Sequence, residues 1–564
     1  MKKQSFIMGS AILIVSVFIT KFLGMFYRIP LANLLGGTGM AYFSCAYSVF
    51  MPVFAIAVTG IPTAVARMVA ENMALGRYRN VRKIRRVAML SFCTVGGVLT
   101  VILILLSSPL CRYIVAEPLS RLSVIAISPC ILIGVVTSVE RGYYEGLCNM
   151  IPTAVSEIIE AVFKIVLGLG LAVLTSRYCE NSFEQTSTVF GRLCSDAEQA
   201  RLEALPYIAA ASILGVMLAN LLSCIYTVIC YKVCGDGITK QMLADDGSTM
   251  RMRQLLKKLT RLCVPIAIAS VITTLTALVD LITINRCLSV AYTKSPTEFL
   301  SRLGSAITDK ITPDMLPSFI YGSYAGLAVT VFGIVPSLTA MFGKSILPSV
   351  SQSRIKGDLT TLHRSIHGVM LLSSIVSVPS GIAISVFSDE ILSLLYGGRT
   401  AEIAASRDAL TAMGPGIMFL GIAVPLFSVL QAIRKPDAPV KIMLIGCIVK
   451  LLGNLIMIPV PKLNIVGAGI STTACYAVIC FLAITEIKKE TGIKFDASAI
   501  IIKPLLSAIL CVETAYLFNK LACNMLEERI CFAISIIIAV NIYILSLCLL
   551  SVLPKSEVKR FFSY

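Results

Sequence analysis

Charge is scarce in this sequence. Asp, Glu, Lys and Arg make up 14% of its 564 residues, against about 25% in soluble proteins. So few ionic groups cannot cover a water-facing globular surface. Other absences narrow the classes further. There is no G-x-x-x-x-G-K-S/T loop to cradle nucleotide phosphates, which argues against ATP as the power source. No C-x-x-C pair and no zinc-ligand spacing organises the 19 cysteines. Most lie inside apolar runs and read as small packing residues. Cys179 and Cys194 share one expected outer loop and form a candidate pair. His363 and His367 are four apart but have no Cys or carboxylate cluster beside them, so they read as interfacial rather than metal-binding. Asn-x-Ser/Thr is absent, which is compatible with a bacterial source. No catalytic constellation is present, so neither enzymatic activity nor a cofactor is expected.

What fills the sequence instead is apolar, at 57% of residues with a mean hydropathy of +0.86. The apolar runs are long and do not alternate, so they predict helices and not barrel strands. About fourteen spans are expected, at roughly 7–35, 40–66, 87–110, 122–141, 153–175, 207–231, 261–284, 319–341, 367–388, 411–432, 440–459, 464–484, 498–518 and 530–553. The first run is too long for a signal-peptide core and lacks a small-residue cleavage site, so it is expected to remain as a span. The expected fold class is an all-α polytopic membrane protein.

The net charge is +18, and its distribution predicts orientation. With the N-terminus inside, thirty of the 49 Lys and Arg fall in cytoplasmic segments and fourteen in outer ones. That bias places both termini in the cytoplasm. The excess of cations is therefore topological, and no nucleic acid is implied. The densest run holds six cations between Arg77 and Arg86. It reads as a topology and headgroup feature, with a grip on a phosphorylated lipid as the alternative.

Five cations fall in or at the ends of spans: Lys21, Arg28, Lys164, Lys450 and Lys503. A Lys or Arg in mid-membrane costs about 2.5–3.5 kcal/mol on insertion scales. Lys21 and Arg28 are two turns apart on one helix face. That face should meet a wet cavity or buried acids. A patch for a diphosphate and an internal salt bridge, perhaps to Asp280, are the two readings. Glu157, Glu160 and Lys164 share a face of the fifth span, with Glu160 and Lys164 in the favoured i,i+4 order. They are either a self-neutralised triad or a titrating, coupling element. Asp280 stands between Thr276 and Thr283, which suits a hard cation such as sodium and equally suits a buried ion pair. Arg286 lies near the outer mouth, Arg67 near the inner end of the second span, and Lys450 nearly alone in the eleventh. Gly142 and Gly146 have helix-packing spacing but sit at a span end, where a turn is the alternative.

The chain repeats itself at an offset of 286 residues: Pro62 with Pro348, Glu145 with Gln431, Lys164 with Lys450. An even number of crossings separates the copies, so the repeats are parallel, with a cavity expected between two lobes. The expected organisation is an N-lobe at 1–235, a cytoplasmic linker at 236–258, a C-lobe at 259–484, and two further spans and a tail at 485–564.

Several motifs occur together in order. They are Thr20-Lys-x-Leu-Gly-x-x-x-Arg, Gly60-Ile-Pro-Thr-Ala-Val, Arg141-Gly-Tyr-Tyr-Glu-Gly-Leu-x-Asn-Met-Ile-Pro-Thr-Ala-Val-Ser-Glu, Val279-Asp-x-x-x-x-Asn-Arg, and Lys462-Leu-Asn-Ile-Val-Gly-Ala-Gly-Ile-Ser-Thr. The set resembles the stage V sporulation protein B branch of the polysaccharide-transporter family. That branch shares a superfamily with the lipid II flippase and with multidrug and toxic compound extrusion transporters. Lys21 replaces the branch's more usual Arg, and Glu145 its usual Gln. The resemblance implies fourteen helices in two lobes. It also implies flipping of a saccharide carried on a polyprenyl diphosphate, such as a peptidoglycan precursor, across the bacterial cytoplasmic membrane by alternating access. Lys21, Arg28, Lys164, Arg67, Lys450 and Arg286 are then candidate substrate ligands. Asp280, Glu157 and Glu160 are candidate coupling or gating groups, with H+ or Na+ as coupling ion and a monomer as the working form. A cation-coupled drug exporter and a nontransporting scaffold for envelope synthesis are the alternatives.

Overall fold

The computed structural model describes residues 6–244, 250–301, 315–493, 495–522, 528–550 and 552. Nearly all of them are helical. The first half comprises α1 (Phe6–Val58), α2 (Ile61–Ala74), α3 (Tyr78–Pro109), α4 (Arg121–Ile127), α5 (Cys130–Gly146), α6 (Ile151–Thr186), α7 (Ala197–Cys234), α8 (Lys240–Ala244) and α9 (Met252–Lys294). After α10 (Pro296–Ser301) come α11 (Leu316–Ser323), α12 (Val329–Phe332), α13 (Ile334–Lys356), α14 (Leu359–Val386), α15 (Ser388–Tyr396), α16 (Thr400–Ala432), α17 (Asp437–Met457), α18 (Val466–Thr491), α19 (Lys503–Ala522) and α20 (Glu528–Leu549).

Thirteen helical stretches among the described residues are long and apolar enough to cross a bilayer, and the first runs over 60 residues. At 1.5 Å per residue, such a rod would be about 90 Å long, three times the hydrocarbon thickness. It is not one rod. Gly36 breaks α1 with φ 63° and ψ −172°, a conformation that a side chain would strain. Two crossings result, in keeping with the expected fourteen. The chain is an all-α polytopic membrane protein.

Two compact units divide the chain at Met1–Asn285 and Arg286–Tyr564. The division falls within α9, whereas the sequence suggested a linker at 236–258. The described part of that linker is instead docked on the first unit. Arg82 grips Asp236 with two hydrogen bonds, Nε to Oδ2 at 2.6 Å and Nη2 to Oδ1 at 2.9 Å. Arg79 donates to the carbonyl of Leu243 at 2.7 Å and Lys83 to that of Met250 at 2.6 Å. Met250 N–H in turn donates to Asn80 Oδ1 at 2.9 Å. The basic run 77–86 is thus largely occupied within the protein: Arg85 pairs with the fully buried Glu140. Four of its six cations, Arg79, Arg82, Lys83 and Arg85, bond carbonyls and carboxylates of the protein itself, while Arg77 and Arg86 are exposed.

Close helix contacts in the first unit depend on glycine. A Cβ on Gly142 would lie 2.6 Å from the carbonyl oxygen of Pro62, and one on Gly146 would lie 2.6 Å from Val69. The Gly142/Gly146 spacing therefore packs α5 on α2. α6 and α7 run antiparallel over 36 and 38 residues, longer than a crossing needs. Their far ends carry a small hairpin, β1 (Thr188–Val189) with β2 (Arg192–Leu193), and Phe190 stacks on Tyr207 at 4.1 Å. Cys179 and Cys194 are both buried there, and both are free thiols, not a disulfide.

In the second unit α16 is central, packed on α13, α14 and α18. The last two helices, α19 and α20, bury Phe532, Val512 and Tyr543 against Val378 and Phe387 of the α14 region. Tyr543 donates to the carbonyl of Ile375 at 3.0 Å. An apolar cavity of about 450 Å³ lies between α14, α19 and α20.

Candidate functional site: a cationic face in the first unit

α1 crosses with Lys21 exposed and Arg28 half-buried on one face. The preceding residue, Tyr27, is almost fully buried and shares a 2.7 Å hydrogen bond with Ser212 of α7. That bond fixes the rotation of α1 about its axis, and with it the direction of Arg28. α6 supplies the facing residues. Lys164 lies 5.0 Å from the ring of Tyr27 and 5.5 Å from that of Tyr47, a cation–π arrangement between two aromatic faces. Its ammonium also feels the like charge of Arg28 and the opposite charge of Glu160. The Tyr47 hydroxyl is buried and has no hydrogen-bond partner. An unmet donor beside the two cations Arg28 and Lys164 is a place for an anionic ligand oxygen.

The carboxylates of α6 are held elsewhere than their spacing suggested. Glu160 pairs with Arg141 of α5 at 3.1 Å, in place of Lys164 one turn on. Arg141 also donates to Ser156 at 2.8 Å and Ser223 at 3.1 Å. Glu157 accepts from Ser16 of α1 at 2.9 Å. Glu145 accepts from Thr153 at 3.3 Å. The triad is therefore not self-neutralised. Lys164 has lost its acid to a neighbouring arginine, which leaves its charge for the face shared with Arg28.

Arg141 is a residue that sequence reasoning missed as part of the site. It joins α5, α6 and α7 beneath the cationic face. The visible signal was its neighbour Glu140: an acid and a base together at a span end. Tyr27, Tyr47 and Ser16 were also missed, because apolar-looking residues in a span show no face without coordinates.

The remaining candidates lie on other elements. Arg67 is exposed on α2 and pairs with Glu71 at 3.0 Å. Asp280 is buried on α9, with Thr276 and Thr283 buried beside it. The Thr283 hydroxyl donates to the Val279 carbonyl at 2.7 Å. Arg286 is exposed and is the first residue of the second unit. Lys450 belongs to the second unit, on α17, and is only 3% exposed. His363 shares a 3.0 Å hydrogen bond with the Thr491 carbonyl. No cluster of metal-ligating side chains occurs among the described residues.

A multi-span helical membrane fold is what these elements define, and known structures share it. The chain superimposes on a lipid II flippase MurJ in an inward closed conformation with a TM-score of 0.66 at 12% identity, covering 95% of this chain and 98% of that one. It also matches an inward-facing multidrug resistance MATE family transporter of the MOP superfamily, with a TM-score of 0.55 at 12% identity over 85% and 96% of the two chains.

Sequence families agree with the fold. Residues 6–190 match the model for "Polysaccharide biosynthesis protein", and residues 318–552 match that for "Lipid II flippase MurJ". Stage V sporulation protein B of Bacillus subtilis strain 168 is 24% identical over 494 residues, 87% of this chain and 85% of its own length. Lipid II flippase MurJ of the same organism is 22% identical over 499 residues, 86% and 83% of the two chains. The probable low-salt glycan biosynthesis flippase Agl15 of Haloferax volcanii is 26% identical over 186 residues, 32% of this chain and 38% of its own. The resemblance read from the motifs is borne out.

Proposed function

We propose that the protein flips a saccharide linked to a polyprenyl diphosphate across the bacterial cytoplasmic membrane, and does no covalent chemistry on it. The observation that carries this reading is the face made by Lys21, Arg28 and Lys164, with the unpaired Tyr47 hydroxyl among them. A diphosphate is the part of such a cargo that must leave water, and clustered cations with a free donor offset that loss. Access to the bound headgroup would alternate between the two sides of the membrane while the lipid tail stays in the bilayer. Asp280, Glu157 and Glu160 would be the acids that take a coupling H+ or Na+. The sequence relatives named above include a lipid II flippase and a probable glycan biosynthesis flippase, which supports a saccharide lipid over a drug. An excess of cations on the face also disfavours an organic cation.

The test is a reconstituted vesicle assay with a fluorescent lipid-linked saccharide. Lys21→Ala with Arg28→Ala should slow flipping at least about tenfold, the loss of roughly 1.4 kcal/mol of headgroup binding. Lys164→Met alone should give a smaller loss in the same direction. Unchanged rates in the double variant would remove the face from the mechanism.

A further inference from the structure

Glu117 lies between α3 and α4, at the end of the first unit that carries Gly36 and the β1–β2 hairpin. The Lys and Arg distribution puts this end outside the cytoplasm. The chain reaches Glu117 through a helical turn at Leu110–Ile114 and a left-handed residue, Ala116, with φ 59°. This turns the glutamate inward, where it is only 7% exposed. Its backbone is fully engaged: its N–H donates to the Cys111 carbonyl at 2.9 Å, and its own carbonyl accepts from Ser120 Oγ at 2.7 Å. The side chain is different. No described residue donates a hydrogen bond to its carboxyl or forms an ion pair with it.

The groups that face it give its charge no help. From α1 come Tyr42 and Cys45, and from the turn before it Cys111, all buried and all neutral until they ionise to anions. α7 brings Glu203 to the far side of Tyr42, where Arg192 pairs with it. α4 brings Arg121, which is exposed and acts on Cys111. A carboxyl with this surrounding is comfortable only when neutral.

We propose that Glu117 is a proton-binding site, and that losing its proton loosens segment 110–120 from α1. Burial alone pushes the carboxyl up from 4.5 to about 7. Such a group changes state near neutrality. In a flippase driven by an ion gradient, it is where the outer pH would act; that second statement rests on the function proposed above.

Two buried thiols on either side of Glu117, Cys45 and Cys111, report the loosening directly. Linkage sets the size of the effect. A carboxyl titrating at about 7 when packed and at 4.5 when open shifts the packed–open balance about tenfold between pH 6 and pH 8. The experiment is maleimide labelling of the full-length protein in lipid nanodiscs, resolved by site with mass spectrometry. Labelling of Cys45 and Cys111 is read relative to exposed Cys148, which removes the ordinary thiolate trend. The ratio should rise about tenfold from pH 6 to pH 8 and stay flat in Glu117→Gln. A flat ratio in the unaltered protein, or an equal rise in the variant, overturns the proposal. If Glu117→Gln fails to fold, infrared spectroscopy of the unaltered protein decides: absence of a protonated-carboxyl band titrating near neutrality also overturns it. Flipping in vesicles at the same two pH values separates this from the function itself. A pH-dependent thiol ratio without any flipping defeats the flippase reading alone. Flipping that proceeds with a flat ratio defeats the proton site alone.

Discussion

Removing Arg85 should leave a buried carboxylate stranded, and the cost can be worked out from its surroundings. Glu140 has no exposed side-chain surface, while Arg85 retains 21%. The pair is bidentate, with Arg85 Nε donating to Glu140 Oε2 at 2.9 Å and Nη2 to Oε1. The guanidinium also lies 3.5 Å above the ring of Tyr231. Breaking a buried pair from one side costs about 3–5 kcal/mol. At pH 7 the stranded glutamate can escape by taking a proton, for about 3.7 kcal/mol given an ordinary value near 4.3. Protonation therefore caps the electrostatic loss in Arg85→Ala, and lost stacking adds about 1 kcal/mol. The penalty should shrink by about 1.4 kcal/mol for each unit of acidification. Adding Glu140→Gln should recover much of it, because the amide carries no charge to strand.

The sequence suggests the assay. It has no tryptophan and 19 cysteines, most of them buried, so a thiol-reactive fluorophore reports melting in detergent. At about 2–4 °C per kcal/mol, Arg85→Ala should melt roughly 8–15 °C lower at pH 7, with the double variant between it and the unaltered protein. A shift under about 2 °C, or a double variant less stable than the single, would refute the reasoning.

Three further outcomes follow from other contacts. Asp236→Asn keeps the shape of the strap anchor but removes its charge, so proteolysis within 236–244 should accelerate several-fold. Burial raises the Asp236 carboxyl, but hydrogen bonds from Arg82, Ile238 N–H and Tyr143 outweigh it and hold it below its ordinary 3.8. Its stabilising contribution is thus complete above that value and is lost only as pH falls through the lower folded value. Gly142→Val would drive a side chain into the Pro62 backbone 2.6 Å away; a loss of about 1–3 kcal/mol or more should appear as a lower melting temperature, whereas Gly97→Val, with open space around it, should not. Glu117 works in the opposite sense to Asp236. Its raised value, about 7 against 4.5, gives a contribution that is complete below 4.5 and lost as pH rises to 7, about 3 kcal/mol in all. Glu117→Gln should therefore melt higher than the unaltered protein at pH 8 and differ little at pH 5.

Much of this was legible from residues alone. Membrane residence, the helical class and the near count of spans follow from scarcity of charge and length of apolar runs, because a bilayer leaves the backbone few options. The cations at Lys21, Arg28 and Lys164 stand out in sequence for the same reason: each is expensive where it lies. Distance along the chain could not say which partners they would have. Glu160 is one turn from Lys164, yet it bonds Arg141, which arrives from α5. The basic run at 77–86 looked like a topology and headgroup feature, and only folding brought Asp236, Leu243 and Met250 against it. Glu117 carried no motif at all; its character comes from Tyr42, Cys45 and Cys111 closing around it. Periodicity and composition record what each residue costs in lipid or water. Which neighbour offsets that cost is decided by helix packing, and helices far apart in sequence meet only in three dimensions.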